Sequence, residues 1–350
     1  MAKAFDLTQW ARPEMLTLAP YTSARDTFTA TDGKYTFLDA NENPNPSSVN
    51  RYPDPNQLAL KKEIAALRGC AINQLLIGNG SDEILDLLFR AFCTPNKDNI
   101  ILMPPTYGMY AVLANINGVG IKEVPLTADF QLKTDEIQAA VDPNTKAIFF
   151  CSPNNPSGNL FKTSDITALL NGFDGLVVID EAYIDYTDGP SWLSQLDNYP
   201  NLVVTQTLSK AFGLAGLRLG IAIAQPNVIK LLHNIKPPYN INTLSQQQAI
   251  EVLSDIEKVN KQIAELLAER SRVAAYLNEL DWVKTVFPSD ANFLLIRVDD
   301  ANKRYDALLA QKVVVRNRST QTNCENTLRI SIGTPDENNE LMEACNNISL

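Results

Sequence analysis

The fold class follows from residues 75–88, LLIGNGSDEILDLL, in which a short apolar run ends at a glycine turn and a helical pattern begins. The apolar residues after Ser81 recur at the spacing of one helix face, which predicts an amphipathic helix. Five more short apolar runs lie at residues 100–102, 147–150, 176–179, 202–204 and 219–223. Branched apolar strands that alternate with helices are typical of a mostly parallel sheet covered on both faces. The sequence therefore predicts an α/β fold.

The C-terminal third has a different pattern. Residues 244–280 are rich in Ala, Glu, Leu and Arg and predict one long helix or two in sequence. Beyond them we expect strands at residues 282–287, 293–298, 313–316 and 328–332, and helices near 302–309 and 336–346. We interpret this region as a smaller α/β domain that packs with the N-terminal arm. The predicted division is an arm at 1–30, a large domain at 31–243 and a small domain at 244–350.

The composition limits the classes of partner. With 30 basic and 40 acidic residues, the net charge of −10 argues against a nucleic-acid partner, which needs a concentrated basic face. A few local arginines are still enough to bind a small phosphorylated molecule in a cleft. A single histidine, His233, argues against His-based metal sites and Ser-His-Asp chemistry. We therefore expect a small-molecule ligand and no metal.

The cysteines and the N-terminus bear on location. The five cysteines are scattered, without a C-x-x-C pair, which is typical of thiols in a reducing compartment and not of disulfides or a zinc site. The first residues lack the apolar core of a signal peptide, and no run approaches 18 apolar residues. We expect a cytoplasmic protein without a membrane partner.

A lysine in residues 207–218, TLSKAFGLAGLR, is the first candidate for catalysis. The amine of Lys210 is suited to condense with an aldehyde, and Ser209 and Arg218 are suited to hold a phosphate beside it. Arginine fits this role because its planar fork makes two parallel charge-assisted bonds to phosphate oxygens. The alternative is an ordinary surface lysine on a strand-to-helix turn, and the segment alone leaves both interpretations open.

Three more loops carry polar residues at strand ends. In residues 151–158, CSPNNPSG, two prolines and a glycine fix a tight loop that would direct the Asn155 amide at a ligand. Asp180 ends an apolar strand, where a carboxylate is costly unless it meets a partner such as a pyridinium nitrogen. Tyr183 follows it closely. The glycines of residues 78–83 let the backbone approach an anion at a helix N-terminus. Each of these three loops, taken alone, is also explained as a simple turn.

Taken together, these segments resemble the fold-type-I pyridoxal-phosphate aminotransferases over nearly the whole chain. Within that superfamily the sequence is most similar to the histidinol-phosphate aminotransferases. The supporting segments are residues 18–21, 38–44, 51–54, 104–110, 289–293 and 328–333. The resemblance implies a large domain with a mostly parallel seven-stranded sheet, a smaller C-terminal domain, a transaminase activity in histidine biosynthesis and a homodimer with shared active sites.

The resemblance also implies roles around the ring of pyridoxal 5'-phosphate. Lys210 would be the Schiff-base lysine and the acid/base that moves the proton. Asp180 would pair with the pyridinium nitrogen and keep it protonated. Asn155 and Tyr183 would bond to the ring oxygen. The two ring faces would be covered by Tyr107 and Ala182.

Further residues are implied for the cofactor phosphate and the substrate. The phosphate would be held by Gly80, Ser81, Asp82, Ser209, Arg218 and, from a neighbouring subunit, Tyr52. Arg329 would bind the carboxylate of glutamate or 2-oxoglutarate, and Arg316 the phosphate of histidinol phosphate. Arg318 shares a strand face with Arg316 and leaves their roles ambiguous. The other implied substrate contacts are Tyr21, Asn41 and Tyr239.

Two related activities would share these cofactor residues. A broad aromatic amino-acid aminotransferase would differ only in the substrate pocket. A phosphothreonine decarboxylase of the same fold would release CO₂ instead of transferring an amine. A cofactor-sensing transcription regulator is a third alternative, but we expect none because the chain carries no basic cluster.

Overall fold

A computed structural model describes residues 5–22 and 35–348. Its larger sheet has seven strands, in the spatial order β1-β7-β6-β5-β4-β2-β3. The strands are β1 Leu75–Asn79, β2 Asn99–Leu102, β3 Gly120–Glu123, β4 Thr145–Cys151, β5 Leu176–Asp180, β6 Leu202–Thr207 and β7 Leu219–Ala224. Only β7 runs antiparallel to its neighbours. The predicted α/β fold with a mostly parallel seven-stranded sheet is confirmed.

Helices cover this sheet because each carries one apolar face. They are α1 Leu7–Trp10, α2 Pro13–Leu16, α3 Leu58–Arg68, α4 Ser81–Phe92, α5 Met109–Ile116, α6 Thr134–Ala139, α7 Thr163–Gly172 and α8 Pro226–Ile235. The central strands β5, β6 and β7 are buried along their whole length. Burial on both faces explains why the apolar residues in these strands are consecutive instead of alternating with polar ones. No helix of residues 5–22 and 35–348 is long and apolar enough to span a membrane.

The smaller sheet is antiparallel and has the order β10-β11-β9-β8. Its strands are β8 Val283–Val286, β9 Phe293–Val298, β10 Arg316–Asn317 and β11 Thr327–Ser331. The C-terminal helices are α9 Thr243–Leu253, α10 Ile256–Asn278, α11 Ala301–Ala310 and α12 Pro335–Asn347. The region 244–280 thus holds two helices, and the second starts where Asp255 accepts a hydrogen bond from the Lys258 backbone N–H.

The strand expected at residues 313–316 is almost absent. Only Arg316 and Asn317 pair with β11. Val313 instead donates its backbone N–H to Leu308 at 2.9 Å, which ties it to the end of α11. The preceding Lys312 has a positive φ of 68°, so the chain turns there and cannot extend the strand. Apolar, β-branched sequence alone did not reveal this turn.

The N-terminal arm does not pack as expected. Ala11 is buried in the same apolar cluster as the large sheet, and the Trp10 ring meets the edge of Phe173 at 5.9 Å. The prediction that this arm packs with the smaller domain is therefore wrong for its described part. Helix α10 contributes Val259 to the large cluster and Val273 to the cluster under the smaller sheet. The domain division at residue 244 stays a prediction.

Candidate active site

The polar strand-end residues meet at one edge of the large sheet. There the carboxyl ends of the parallel strands lie beside the amino end of antiparallel β7, the usual position of ligand sites in such sheets. A cavity of about 470 Å³ opens at this edge. Its lining includes these predicted residues: Ser81, Asp82, Tyr107, Asn155, Asp180, Ala182, Tyr183, Ser209, Lys210, Arg218, Arg316 and Arg329.

The start of α4 forms one end of the cavity. Gly80 precedes the helix with φ +82°, and a Cβ there would lie 2.7 Å from Arg218 Nη2. Gly220 is equally constrained, because its Cβ would lie 2.3 Å from the Gly80 carbonyl carbon. Gly80 makes no side-chain cap to α4, so the first-turn N–H groups keep their capacity for a ligand. These N–H groups and the helix dipole suit a phosphate.

Arg218 stands over this helix start in a strained conformation. Its φ of 56° is left-handed, and its carbonyl accepts a hydrogen bond from the Gly80 N–H at 2.8 Å. Its guanidinium lies 3.6 Å from Asp82 Oδ2. Asp82 Oδ1 accepts a hydrogen bond from Tyr107 Oη at 3.0 Å. The helix start, the arginine and the Tyr107 ring are therefore held together before any ligand is bound.

Asp180 lies at the floor of the cavity and is 3% exposed. Its carboxylate accepts hydrogen bonds from Tyr110 Oη at 2.9 Å and from the Ala182 N–H at 3.2 Å. Burial raises the pKa of Asp180 to about 6, although both hydrogen bonds act to lower it. No Lys or Arg of the described residues forms an ion pair with it. A buried carboxylate without a cation fits a cationic ring nitrogen.

Lys210 follows β6 and reaches into the same cavity. Its Nζ lies 5.8 Å from the centre of the Tyr183 ring. Burial lowers the pKa of Lys210, Arg329 lowers it further, and Asp180 opposes the effect. A lowered pKa increases the fraction of neutral amine, which is the form that attacks a carbonyl or accepts a proton.

Asn155 contacts both Tyr183, which follows β5 of the large sheet, and Arg329, which lies on β11 of the smaller sheet. It is 8% exposed, its Nδ2 lies 3.4 Å from Tyr183 Oη, and its Oδ1 accepts a hydrogen bond from Arg329 Nη1. The Arg329 guanidinium lies 5.2 Å from the centre of the Phe293 ring. Burial, together with Arg318, lowers the pKa of Arg329 to about 10. Asn155 and Tyr183 thus present an amide and a hydroxyl side by side.

Three arginines form the wall contributed by the smaller sheet. Arg316 of β10 is paired in register with Arg329 of β11, and Arg318 lies two residues further on the same face. Like charges directly opposite each other destabilise a sheet. Within residues 5–22 and 35–348 no carboxylate forms an ion pair with any of the three. The Nε atoms of Arg318 and Arg329 are buried without a hydrogen-bond partner. This wall is suited to bind anions.

Four predicted residues lie outside the cavity. Tyr52, Tyr239 and Asn41 line a separate cavity of about 500 Å³, where the two tyrosine rings stack at 4.5 Å. Tyr21 lines a third cavity. One copy of the chain does not bring these residues to Lys210, and their roles stay predictions.

Some residues of the site were missed from the sequence. Tyr110, Cys151 and Gln321 contact or line the cavity region, and none was a candidate. Tyr110 lies in the first turn of α5, three residues after Tyr107, and nothing in its local sequence pointed to a contact with Asp180. No group of three or more His, Cys, Asp or Glu residues in the described chain could hold a metal.

The sequence matches the family model described as aminotransferase class I and II over residues 30–345. The chain belongs to this family. It is 56% identical to the histidinol-phosphate aminotransferase of Flavobacterium johnsoniae, over 95% of this chain and 96% of the relative. It is 51% identical to that of Christiangramia forsetii, over 98% of both chains. These identities place it with the histidinol-phosphate aminotransferases, and this enzyme is a transaminase with pyridoxal 5'-phosphate as its cofactor.

Solved structures agree on the fold. The crystal structure of the histidinol-phosphate aminotransferase from Clostridium acetobutylicum superimposes with a TM-score of 0.79 at 25% identity. The match covers 86% of this chain and 91% of that one. The two-sheet architecture of this enzyme is thus shared with a solved member of its family.

Proposed function

We propose that the enzyme transfers an amino group between L-histidinol phosphate and 2-oxoglutarate, giving imidazole-acetol phosphate and L-glutamate. The observation that carries this proposal is the wall of three arginines without a carboxylate partner, which faces Lys210 across one cavity. Both substrates have an anionic group far from the reacting carbon, a phosphate in one and a carboxylate in the other. An enzyme for uncharged amino acids would not require such a wall.

The cavity fits pyridoxal phosphate at three independent points. The N–H groups of Ser81 and Asp82, with Ser209 and Arg218, would hold its phosphate. Asp180 would pair with its ring nitrogen, and Asn155 and Tyr183 would donate hydrogen bonds to its ring oxygen. When bound, the cofactor supplies an aldehyde that carries the amino group and a protonated ring that withdraws electrons from the reacting carbon.

The side chains of the enzyme would then divide the remaining work. The Lys210 amine would take the proton from the reacting carbon of the substrate, and its lowered pKa favours the neutral form that accepts it. The Asp180 carboxylate keeps a positive charge on the ring nitrogen. Tyr107 and Ala182 cover the two ring faces and exclude water. Arg329 binds the substrate carboxylate bidentately.

Arg316 is expected to select for the substrate phosphate. It is exposed at the cavity mouth, opposite Arg329 in register. If the bound substrate phosphate excludes water from this arginine, Arg316→Ala should slow the single-turnover reaction with histidinol phosphate by about 2–5 kcal/mol in activation free energy, the usual cost of losing one partner of a desolvated charge pair. The reaction with phenylalanine, whose side chain is uncharged, should change far less.

Arg318→Ala is the matched control for this prediction. Removing it deletes the same charge two residues away on the same strand face. If Arg318→Ala and not Arg316→Ala causes the selective loss, the phosphate contact is reassigned. Equal losses on histidinol phosphate and phenylalanine in both variants would contradict the proposed substrate and favour a broad aromatic aminotransferase.

We also propose that the enzyme is a homodimer in which Tyr52 reaches the cofactor phosphate of the partner subunit. Tyr52 is 52% exposed and lies outside its own active-site cavity. Apolar side chains near it are also exposed, namely Val49 at 52% and Leu244 at 57%. Leu38 is also exposed, at 87%, and exposed apolar side chains of this kind are often covered by subunit contacts. Asn41, Tyr239 and Tyr21 would contact substrate across the same interface.

Mixing two inactive or weakened variants tests the shared site. Tyr52→Phe should weaken cofactor retention, and Lys210→Ala should abolish turnover. A mixed dimer contains one site with native Lys210 from one subunit and native Tyr52 from the other, so activity at limiting cofactor should return on mixing. No recovery after confirmed subunit exchange would show that Tyr52 acts within its own chain or not at all.

We propose a cytoplasmic location. The cysteines form no disulfide in the described chain, and four of the five are buried, which is typical of proteins from reducing compartments. The alternative activity as a phosphothreonine decarboxylase would release CO₂ and would need no 2-oxoglutarate. Dependence of product formation on 2-oxoglutarate separates the two activities.

A further inference from the structure

Tyr110 is the largest fully buried side chain of the protein's described part, and it contacts the active site from behind. It lies three residues after Tyr107, which precedes α5, and the two rings meet edge to face at 5.5 Å. The Tyr110 ring also lies 5.9 Å from Phe149, which in turn stacks on Phe89 at 5.0 Å. This aromatic packing fixes the position of the Tyr110 hydroxyl.

The hydroxyl has one carboxylate within reach. Tyr110 Oη donates to Asp180 Oδ2 at 2.9 Å, and the Ala182 N–H donates to Oδ1. Each oxygen of the carboxylate thus has its own donor, which fixes the orientation of the group. Burial, and then the charge of Asp180, raises the pKa of Tyr110 well above its ordinary value, so its hydroxyl stays protonated and remains a donor.

We propose that Tyr110 is a positioning residue that keeps the Asp180 carboxylate ionised and oriented toward the ring nitrogen of the bound cofactor. The inference rests on the proposed cofactor site and adds a residue that does not itself touch the cofactor. Through the ring contact with Tyr107, the same side chain connects the carboxylate under the nitrogen with the tyrosine over the ring face. One buried side chain of α5 thus contacts both Asp180 and Tyr107.

The charged surroundings of Asp180 determine what the loss of this hydrogen bond would do. Asp82 disfavours the ionised form, whereas Lys210 favours it. The Cys151 thiol and the hydroxyls of Tyr107 and Tyr183 also face Asp180, but their pKa values are all raised and they stay neutral. Among these groups Tyr110 is a direct donor to the carboxylate. Without it, burial would raise the pKa of Asp180 further.

The test is the pH dependence of pyridoxal phosphate binding to the cofactor-free protein, followed by tryptophan fluorescence. Wild type should lose affinity as the pH falls through about 6, where Asp180 becomes protonated. In Tyr110→Phe the midpoint of this loss should lie about one pH unit higher than in wild type. At a pH between the two midpoints, the variant should bind about tenfold more weakly. At pH 8.5 the two proteins should bind almost equally.

Two controls separate positioning from packing. Tyr186→Phe removes the hydroxyl of another buried tyrosine, outside the cavity, and should leave the midpoint unchanged. In an Asp180→Asn background, Tyr110→Phe should not change the pH dependence of pyridoxal phosphate binding, because the group through which it acts is gone. Thermal unfolding of both Phe variants checks that each is folded.

The outcomes are distinct. A raised midpoint in Tyr110→Phe that disappears in the Asp180→Asn background supports the inference. Coincident midpoints for wild type and Tyr110→Phe, or an effect that persists in the Asp180→Asn background, would overturn it while leaving the cofactor site intact. If wild type does not bind pyridoxal phosphate at any pH, the proposed function fails and this inference fails with it.

Discussion

Lys210→Ala should abolish amine transfer while leaving the fold unchanged. The residue is exposed in the open cavity, and no hydrogen bond ties its Nζ to the surrounding described structure. Its loss therefore removes little packing. It does remove the group that moves the proton, and general acid–base catalysis alone is typically worth about 10²–10⁴-fold in rate. The lost covalent attachment of the cofactor adds to this, so we expect a decrease of more than about 10⁴-fold.

Turnover of histidinol phosphate with 2-oxoglutarate measures this effect directly. Lys230→Ala is the matched control, because it removes an exposed lysine from α8, outside the cavity. Both variants should unfold at the wild-type temperature. Turnover within about tenfold of wild type in Lys210→Ala would mean that another group performs the proton transfer.

Asp180→Asn should lose most of its activity and gain stability in the cofactor-free state. An amide does not stabilise a positive charge on the ring nitrogen, and removing one partner of a buried charged pair costs about 3–5 kcal/mol. By transition-state arithmetic this lowers kcat by more than about 100-fold. The decrease should be larger in kcat than in the affinity for the cofactor, because the cofactor phosphate is held by other residues.

The stability effect has the opposite sign because the pKa of Asp180 is raised by burial to about 6 in the folded protein. Between the unfolded value of about 3.9 and the folded value, the native state binds more protons than the unfolded state. Its stability therefore decreases as the pH rises through this window. Asparagine removes this penalty, so at pH 7 the cofactor-free variant should be more stable by on the order of 1 kcal/mol.

Thermal unfolding of the cofactor-free proteins at pH 4 and pH 7 tests whether Asp180→Asn is more stable than wild type. The difference in unfolding temperature between the two proteins should appear only at pH 7. Stopped-flow rates give the loss in kcat. A change of less than about fivefold in kcat, roughly 1 kcal/mol, would contradict the role of Asp180. A variant less stable than wild type at pH 7 would contradict the assignment of its pKa.

The sequence predicted those parts of the fold whose signals are local. Strands β4 to β7 each contain a run of consecutive apolar residues because they are buried on both faces, so their positions could be predicted directly. Asp180 was found because it ends such a strand, and Lys210 was found from the serine, glycines and arginine around it. Strand β3 was missed because it is an edge strand, largely exposed, with Lys122 and Glu123 in four residues.

The unpredicted parts depend on contacts between distant residues. The hydrogen bond from Tyr110 to Asp180 joins residues 70 apart in sequence, and no local pattern reveals it. The opposition of Arg316 and Arg329 is set by the register of β10 with β11. The N-terminal arm was assigned to the wrong domain because its short apolar segment fits either core. Tyr52 lies outside the cavity that Lys210 lines, and its role at the cofactor stays a prediction.

The central claim is that one cavity accepts an amino group from histidinol phosphate and passes it to 2-oxoglutarate. Its most direct test is the visible absorbance of the cofactor-loaded protein during two successive titrations. Histidinol phosphate alone should convert the absorbance of bound pyridoxal phosphate to that of pyridoxamine phosphate, and 2-oxoglutarate should then restore it. An unchanged spectrum with histidinol phosphate, or a change that 2-oxoglutarate does not reverse, would contradict the account.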